Sequence, residues 1–151
     1  MNKKKILGVI LLSILFVLAG CSKKELSKIE MIEGSYNTDL GLITISKDKK
    51  LVGFKGEGKI YFKEDIDKMK KDSLYDFFGP GATENRLKEN EAVVEIHPSS
   101  NEKSVYEISW SDSDKTKKAD TITINNTIKN NSSPFTEYVN KKYSGVRIQN
   151  K

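Results

Sequence analysis

One cysteine and one histidine stand among 151 residues, and each scarcity removes a class of chemistry. A lone cysteine, Cys21, cannot build a disulfide framework. A lone histidine, His97, finds no second imidazole for a metal site. A Ser-His-Asp triad would have to recruit His97, and no Gly-x-Ser-x-Gly elbow occurs to carry the serine. A surplus of one charge is also missing. Acids and bases alternate, as in Lys47-Asp48-Lys49-Lys50 and Glu64-Asp65-Ile66-Asp67-Lys68. Interspersed charge of this kind makes a solvated surface, and no basic stripe suited to nucleic acid is present.

Other chemical motifs fail on inspection. Asp112-Ser113-Asp114 with Asp120 offers oxygen ligands, but Lys115, Lys117 and Lys118 occupy the same stretch and would repel a calcium ion. Gly53, Gly56 and Gly58 lack the Lys-Ser/Thr pair and following helix of a phosphate loop, and read as hairpin glycines. No pair of carboxylates is marked by its surroundings for glycosidase work. The expectation is a chain without catalytic residues, metal or cofactor, and His97 reads as a partly exposed strand-end residue.

What is present begins at the N-terminus. Three lysines, Lys3 to Lys5, precede an apolar run from Ile6 to Gly20 in which Ser13 is the only polar residue. A basic start, an apolar stretch and small residues at its end are the parts of a secretory signal. The last four residues, Leu18-Ala19-Gly20-Cys21, resemble the lipobox of bacterial prolipoproteins. That resemblance implies cleavage between Gly20 and Cys21 and a diacylglyceryl group on the Cys21 thiol, which would also withdraw the thiol from any Cys-His pair. Two acyl chains give a lasting anchor, at about 0.8 kcal/mol per buried methylene. The alternative, an uncleaved span from Ile6 to Cys21, would make a helix of about 24 Å against a bilayer core of roughly 30 Å. Lysines before the run place the rest of the chain on the extracytoplasmic face of the cell membrane in either case.

Without residues 1–20, 23 basic residues face 21 acidic ones, a net charge of +2. The sequence thus divides into a signal peptide at 1–20, a lipidated tether at 21–33 and one domain at 34–151, a length suited to a single core. Leu26, Ile29 and Ile32 permit a brief helical turn within the tether.

Strand periodicity starts at Gly41. Leu42–Ser46, Leu51–Phe54 and Lys59–Lys63 alternate, with turns at 47–50 and 55–58. After Glu64 the period becomes helical: Ile66, Met69, Leu74, Phe77 and Phe78 predict a helix over 65–78, stopped by Gly79-Pro80-Gly81. A second short helix fits Thr83 to Lys88. Strands return at Ala92–Ile96, Val105–Trp110 and Asp120–Asn125. Ser133 with Pro134 then reads as a helix start, with Phe135, Tyr138 and Val139 as its stripe and Gly145 as its end. Val146 to Ile148 would pair at an edge. The expected fold is α+β: about six antiparallel strands in one twisted sheet or partly open barrel, packed by two amphipathic helices.

Gly34-Ser35-Tyr36 resembles the Gly-x-Trp opening of lipocalin-like folds, with tyrosine in place of tryptophan. Residues 44 to 62 look like the small envelope META domain but lack its Gly-Cys-Asn step. The aromatic residues are mostly at core-facing positions. Tyr61 and Phe62, adjacent on one strand, must point to opposite faces, so one is either covered by a helix or exposed, and an exposed aromatic could meet a ligand. Tyr61, Phe62 and Trp110 are the candidate ligand-binding residues. These readings imply a non-enzymatic lipoprotein that binds a peptide, a small ligand or an envelope protein. The alternatives are an immunity lipoprotein against a bacteriocin, a structural subunit of an envelope complex, and an envelope hydrolase.

Overall fold

The computed structural model describes residues 23–53, 56–78, 86–99, 102–127 and 141–149. Eight antiparallel strands run β1 (Gly34–Thr38), β2 (Gly41–Ile45), β3 (Lys50–Gly53), β4 (Gly56–Phe62), β5 (Glu91–Ser99), β6 (Glu102–Trp110), β7 (Thr121–Thr127) and β8 (Lys141–Arg147). Each pairs with the next in sequence, and β8 pairs back onto β1 to close a barrel. The expected count of about six strands in a twisted sheet or partly open barrel is therefore corrected to eight in a closed barrel. The added strands, β1 and β8, are the pair that makes the closure. Closing the sheet removes both edges, the sites at which unpaired backbone would recruit other chains.

Alternation decides what faces inward. Tyr36, Ile43, Ile45, Leu51, Ile60, Ile96, Ile108, Ile122 and Ile124 fill the interior and are at most 2% exposed. Eight strands enclose a space that side chains can just fill, and here branched residues and three aromatics, Tyr36, Phe62 and Trp110, fill it. Phe62 and Trp110 meet edge to face inside, with centroids 6.1 Å apart.

Among the described residues, three short helices accompany the barrel: α1 (Lys28–Ile32), α2 (Lys63–Ile66) and α3 (Lys71–Phe78). Ser27 and Glu30 form a capping box that starts α1: the Ser27 N–H donates to Glu30 Oε2 at 2.8 Å, and the Glu30 N–H donates to Ser27 Oγ at 3.4 Å. Met31 and Ile32 of α1 are buried in the barrel core, with Leu26 and Ile29 packed against it. The folded unit thus begins by Leu26, ahead of the boundary expected at Gly34. The single helix expected over 65–78 is two, parted by a turn at 67–70. Both pack on the outer wall of β4 to β6, where Ile66, Leu74, Leu87, Val93 and Val105 form a second core. Arg86–Lys88 are not helical. Gly56 to Gly58, expected as a turn, already belong to β4. The helix expected from Ser133 lies largely outside the described residues, and Gly145, its expected end, is an interior position of β8.

Arg147 locks the closure. Its guanidinium donates to the carbonyls of Ala119 at 2.7 Å, Glu33 at 2.5 Å and Met31 at 3.0 Å, and to the Tyr36 hydroxyl at 2.6 Å. It also lies over the Tyr36 ring, 4.8 Å from the centroid, a cation–π arrangement. Tyr36 in turn donates to the Ile32 carbonyl at 2.8 Å, and burial pushes its phenol pKa up to about 12. Gly34 takes a φ of +138°, and any Cβ there would overlap the guanidinium. The Gly-x-Tyr sequence therefore has a physical reason: the glycine leaves room for the cation and the tyrosine receives it.

Candidate functional site

The outer faces of β3, β4 and β5 form a groove of about 540 Å³, lined by Asp48, Lys50, Glu57, Gly58, Lys59, Tyr61, Glu95 and His97. Strand alternation builds it. Gly58, Ile60 and Phe62 turn inward on β4, so Glu57, Lys59 and Tyr61 turn outward. On β5, Ala92, Val94 and Ile96 are interior, which puts Glu95 and His97 on the groove side.

The charges are arranged unevenly. Lys50 and Lys59 are direct partners across β3 and β4, and Lys59 is the partner of Glu95 across β4 and β5. Like charges placed opposite one another cost stability. Lys50 relieves part of that cost through Asp48, at 3.2 Å, while the Lys59 ammonium sits 5.0 Å from the centre of the Tyr61 ring. At the other side, His97 Nε2 and Glu95 Oε1 share a hydrogen bond of 2.8 Å. Burial, and then the charges of Glu95 and Asp65, raise the Tyr61 phenol above its ordinary pKa. The groove thus offers two lysines, three carboxylates and an aromatic face. Tyr61 supplies the one hydroxyl among the described lining residues, which include no serine, threonine or cysteine.

Of the three aromatic candidates, only Tyr61 reaches this groove. Phe62 and Trp110, each 4% exposed, are placed in the barrel core instead. The expected lipidation and cleavage positions, Gly20 and Cys21, lie outside the described residues. His97 is exposed near the end of its strand, as its sequence position suggested. Glu57, Lys59 and Glu95 were not singled out by sequence, although the outward register of β4 and the Glu95–His97 spacing of two residues carried the signal. Asp114 is engaged within its own loop, accepting from Thr116 N–H at 3.0 Å and pairing with Lys117 at 3.0 Å. No group of three potential metal ligands occurs among the described residues, and no helix among them is long and apolar enough to cross a membrane.

The chain matches no protein-family model, no curated protein and no solved structure.

Proposed function

We propose that this chain is a lipid-anchored lipoprotein on the extracytoplasmic face of a bacterial membrane, and that it acts as a non-enzymatic binding module. The observation that carries the anchor is Leu18-Ala19-Gly20-Cys21 behind a basic and apolar leader. The fold adds support. The folded unit begins at Leu26, five residues after Cys21, a reach of at most about 17 Å for an extended chain. A barrel held that close to a membrane is suited to short-range recognition at the envelope. Its eight-strand up-and-down order is also in keeping with the resemblance of Gly34-Ser35-Tyr36 to lipocalin-like openings.

Because large side chains fill the barrel interior, the proposed recognition surface is the outer groove. Lys50 and Lys59 face each other there, so a carboxylate or phosphate between them would relieve their repulsion. Glu57 and Glu95 would receive a cationic group beside it, and Tyr61 an apolar or planar one. A peptide segment of mixed charge, presented by an envelope protein, satisfies all three.

Native mass spectrometry of the lipidated protein, extracted gently from its own membrane, tests both parts. A chain beginning at Cys21 with two or more acyl groups is expected, with added mass from a bound partner. Lys59→Glu should abolish the added mass and leave the anchor intact. A mass that retains residues 1–20 would overturn the anchor, and a partner indifferent to Lys59→Glu would overturn the groove.

A further inference from the structure

All five large aliphatic side chains that stand exposed among the described residues fall on one wall of the barrel. Leu40, Leu42, Val52, Val146 and Ile148 are between 41% and 59% exposed. Val146 and Leu42 flank Asn37 on β8, β1 and β2, while Val52 faces Thr44 across β2 and β3. Ile148 donates its N–H to the Ser35 carbonyl at 2.9 Å, just beyond the end of β8. The residues between them, Ser35, Asn37 and Thr44, are uncharged, while Lys50 and Glu57 border Val52 where the wall meets the groove. Ser35 and Thr44 hydroxyls hydrogen-bond each other at 3.0 Å, so covering them strands neither group. The opposite wall, by contrast, is already covered by α2 and α3.

We infer that this uncharged wall rests on the lipid bilayer, so that the barrel lies on its side at the membrane. The inference rests on the lipid-anchor reading above. Two observations favour lipid over a second protein. Four strands about 4.8 Å apart and some five residues tall present about 300 Å², well below the roughly 800 Å² per partner of a stable protein interface. Among the described residues, the wall carries no tryptophan, tyrosine or arginine, the residues that anchor such interfaces.

A small apolar surface is enough when binding is intramolecular, because the anchor supplies the local concentration.

The full-length lipoprotein, matured and reconstituted in vesicles of phosphatidylethanolamine and phosphatidylglycerol, provides the test. Cys21 is the only cysteine, so a lipidated chain carrying Leu42→Cys or Val146→Cys has one free thiol for an environment-sensitive fluorophore. His97→Cys reports the far side. Labels at 42 and 146 should shift to the blue, lose quenching by iodide and gain quenching by a lipid-borne nitroxide, while the label at 97 stays open to iodide. If all three remain open to iodide on an anchored protein, the wall faces water and the inference fails alone. Self-quenching at 42 and 146 that scales with protein density, without lipid quenching, would assign the wall to a second copy and also overturn it. Labelling of Cys21 itself in the unsubstituted chain would show a free thiol, and the anchor reading would fall first.

Discussion

Replacing Arg147 by alanine tests how the barrel is held shut. The substitution leaves the carbonyls of Ala119 and Glu33 without the donors described above, whereas Met31 O keeps its bond from the Ala119 N–H at 2.8 Å. An acceptor stranded in a partly buried site costs about 1–3 kcal/mol, and the stacked cation contributes about 0.5–2 kcal/mol. Water can reach part of the vacated space, so about 3 kcal/mol is expected, with about 8 kcal/mol as the ceiling. Against a total stability of about 5–15 kcal/mol for a small domain, that is a large share. Trp110, the single tryptophan, is buried beside Phe62, so its emission follows unfolding in a urea titration. The midpoint should fall with an unchanged slope. Tyr36→Phe retains the ring and loses only the hydroxyl, and the double-mutant cycle with Arg147→Ala should show coupling of about 1 kcal/mol. A loss under about 1 kcal/mol for Arg147→Ala would mean the guanidinium is only a surface contact, and that the closure is held by the β1–β8 ladder alone.

Other expectations follow from single contacts. Gly58→Ala places a Cβ 2.6 Å from Ile96 Cγ1 and 2.8 Å from Val94 Cγ1, and overpacking of that kind should lower stability by about 1–3 kcal/mol in the same titration. Burial, and then the charge of Glu91, raise the Glu107 carboxyl above its ordinary pKa, so the folded state resists its ionisation. Wild-type stability should therefore fall as pH rises from 4.5 to the raised pKa, and Glu107→Gln should melt higher at pH 7 with that slope removed. Asp65 behaves in the opposite sense. Burial opposes its ionisation, but hydrogen bonds from Lys49 and the Phe62 N–H outweigh it and hold the carboxyl below its ordinary pKa. Its contribution is present above pH 3.8 and is lost as pH falls through the depressed value. Asp65→Asn should accordingly melt lower than wild type at pH 7 and converge with it in acid, which a pH series of thermal melts would show.

Six strands were legible because their inward residues are apolar and two apart, as in Ile43 and Ile45 or Ile122 and Ile124. β1 escaped the same reading, and of β8 only its last residues, Val146 and Arg147, were expected to pair, at an edge rather than in a closing seam, for a physical reason. The inward positions of β8 include Gly145 and Arg147, where an apolar pattern would show large aliphatics. A Cβ at Gly145 would come within 3.0 Å of both Ile122 Cγ1 and Thr38 Cγ2, so close packing demands the smallest residue. Arg147 is inward because it binds carbonyls. Hydrophobic periodicity cannot report a seam made from a glycine and a cation. The break between α2 and α3 did leave a trace, since Met69 and Leu74 are five apart, one too many for a continuous helical face. In the candidate site, alternation was enough to place Tyr61 and Phe62 on opposite sides. Which of them faced out depended on closure, and so on the strands that were not seen.

Closure also sets an order of events for the growing chain. Tyr36 and Arg147 are 111 residues apart, and the ladder that joins their strands can form only after β8 has appeared. Until then the sheet has two open edges and α1 lacks the carbonyl clamp that seats it. Contacts this distant in sequence form slowly, because the chain loses loop entropy before they reward it. A chain emerging stepwise through a narrow pore would therefore stay extensible for nearly its whole passage and snap shut at the end. For a protein that the proposed signal sends across a membrane unfolded, the late seam acts as a timer.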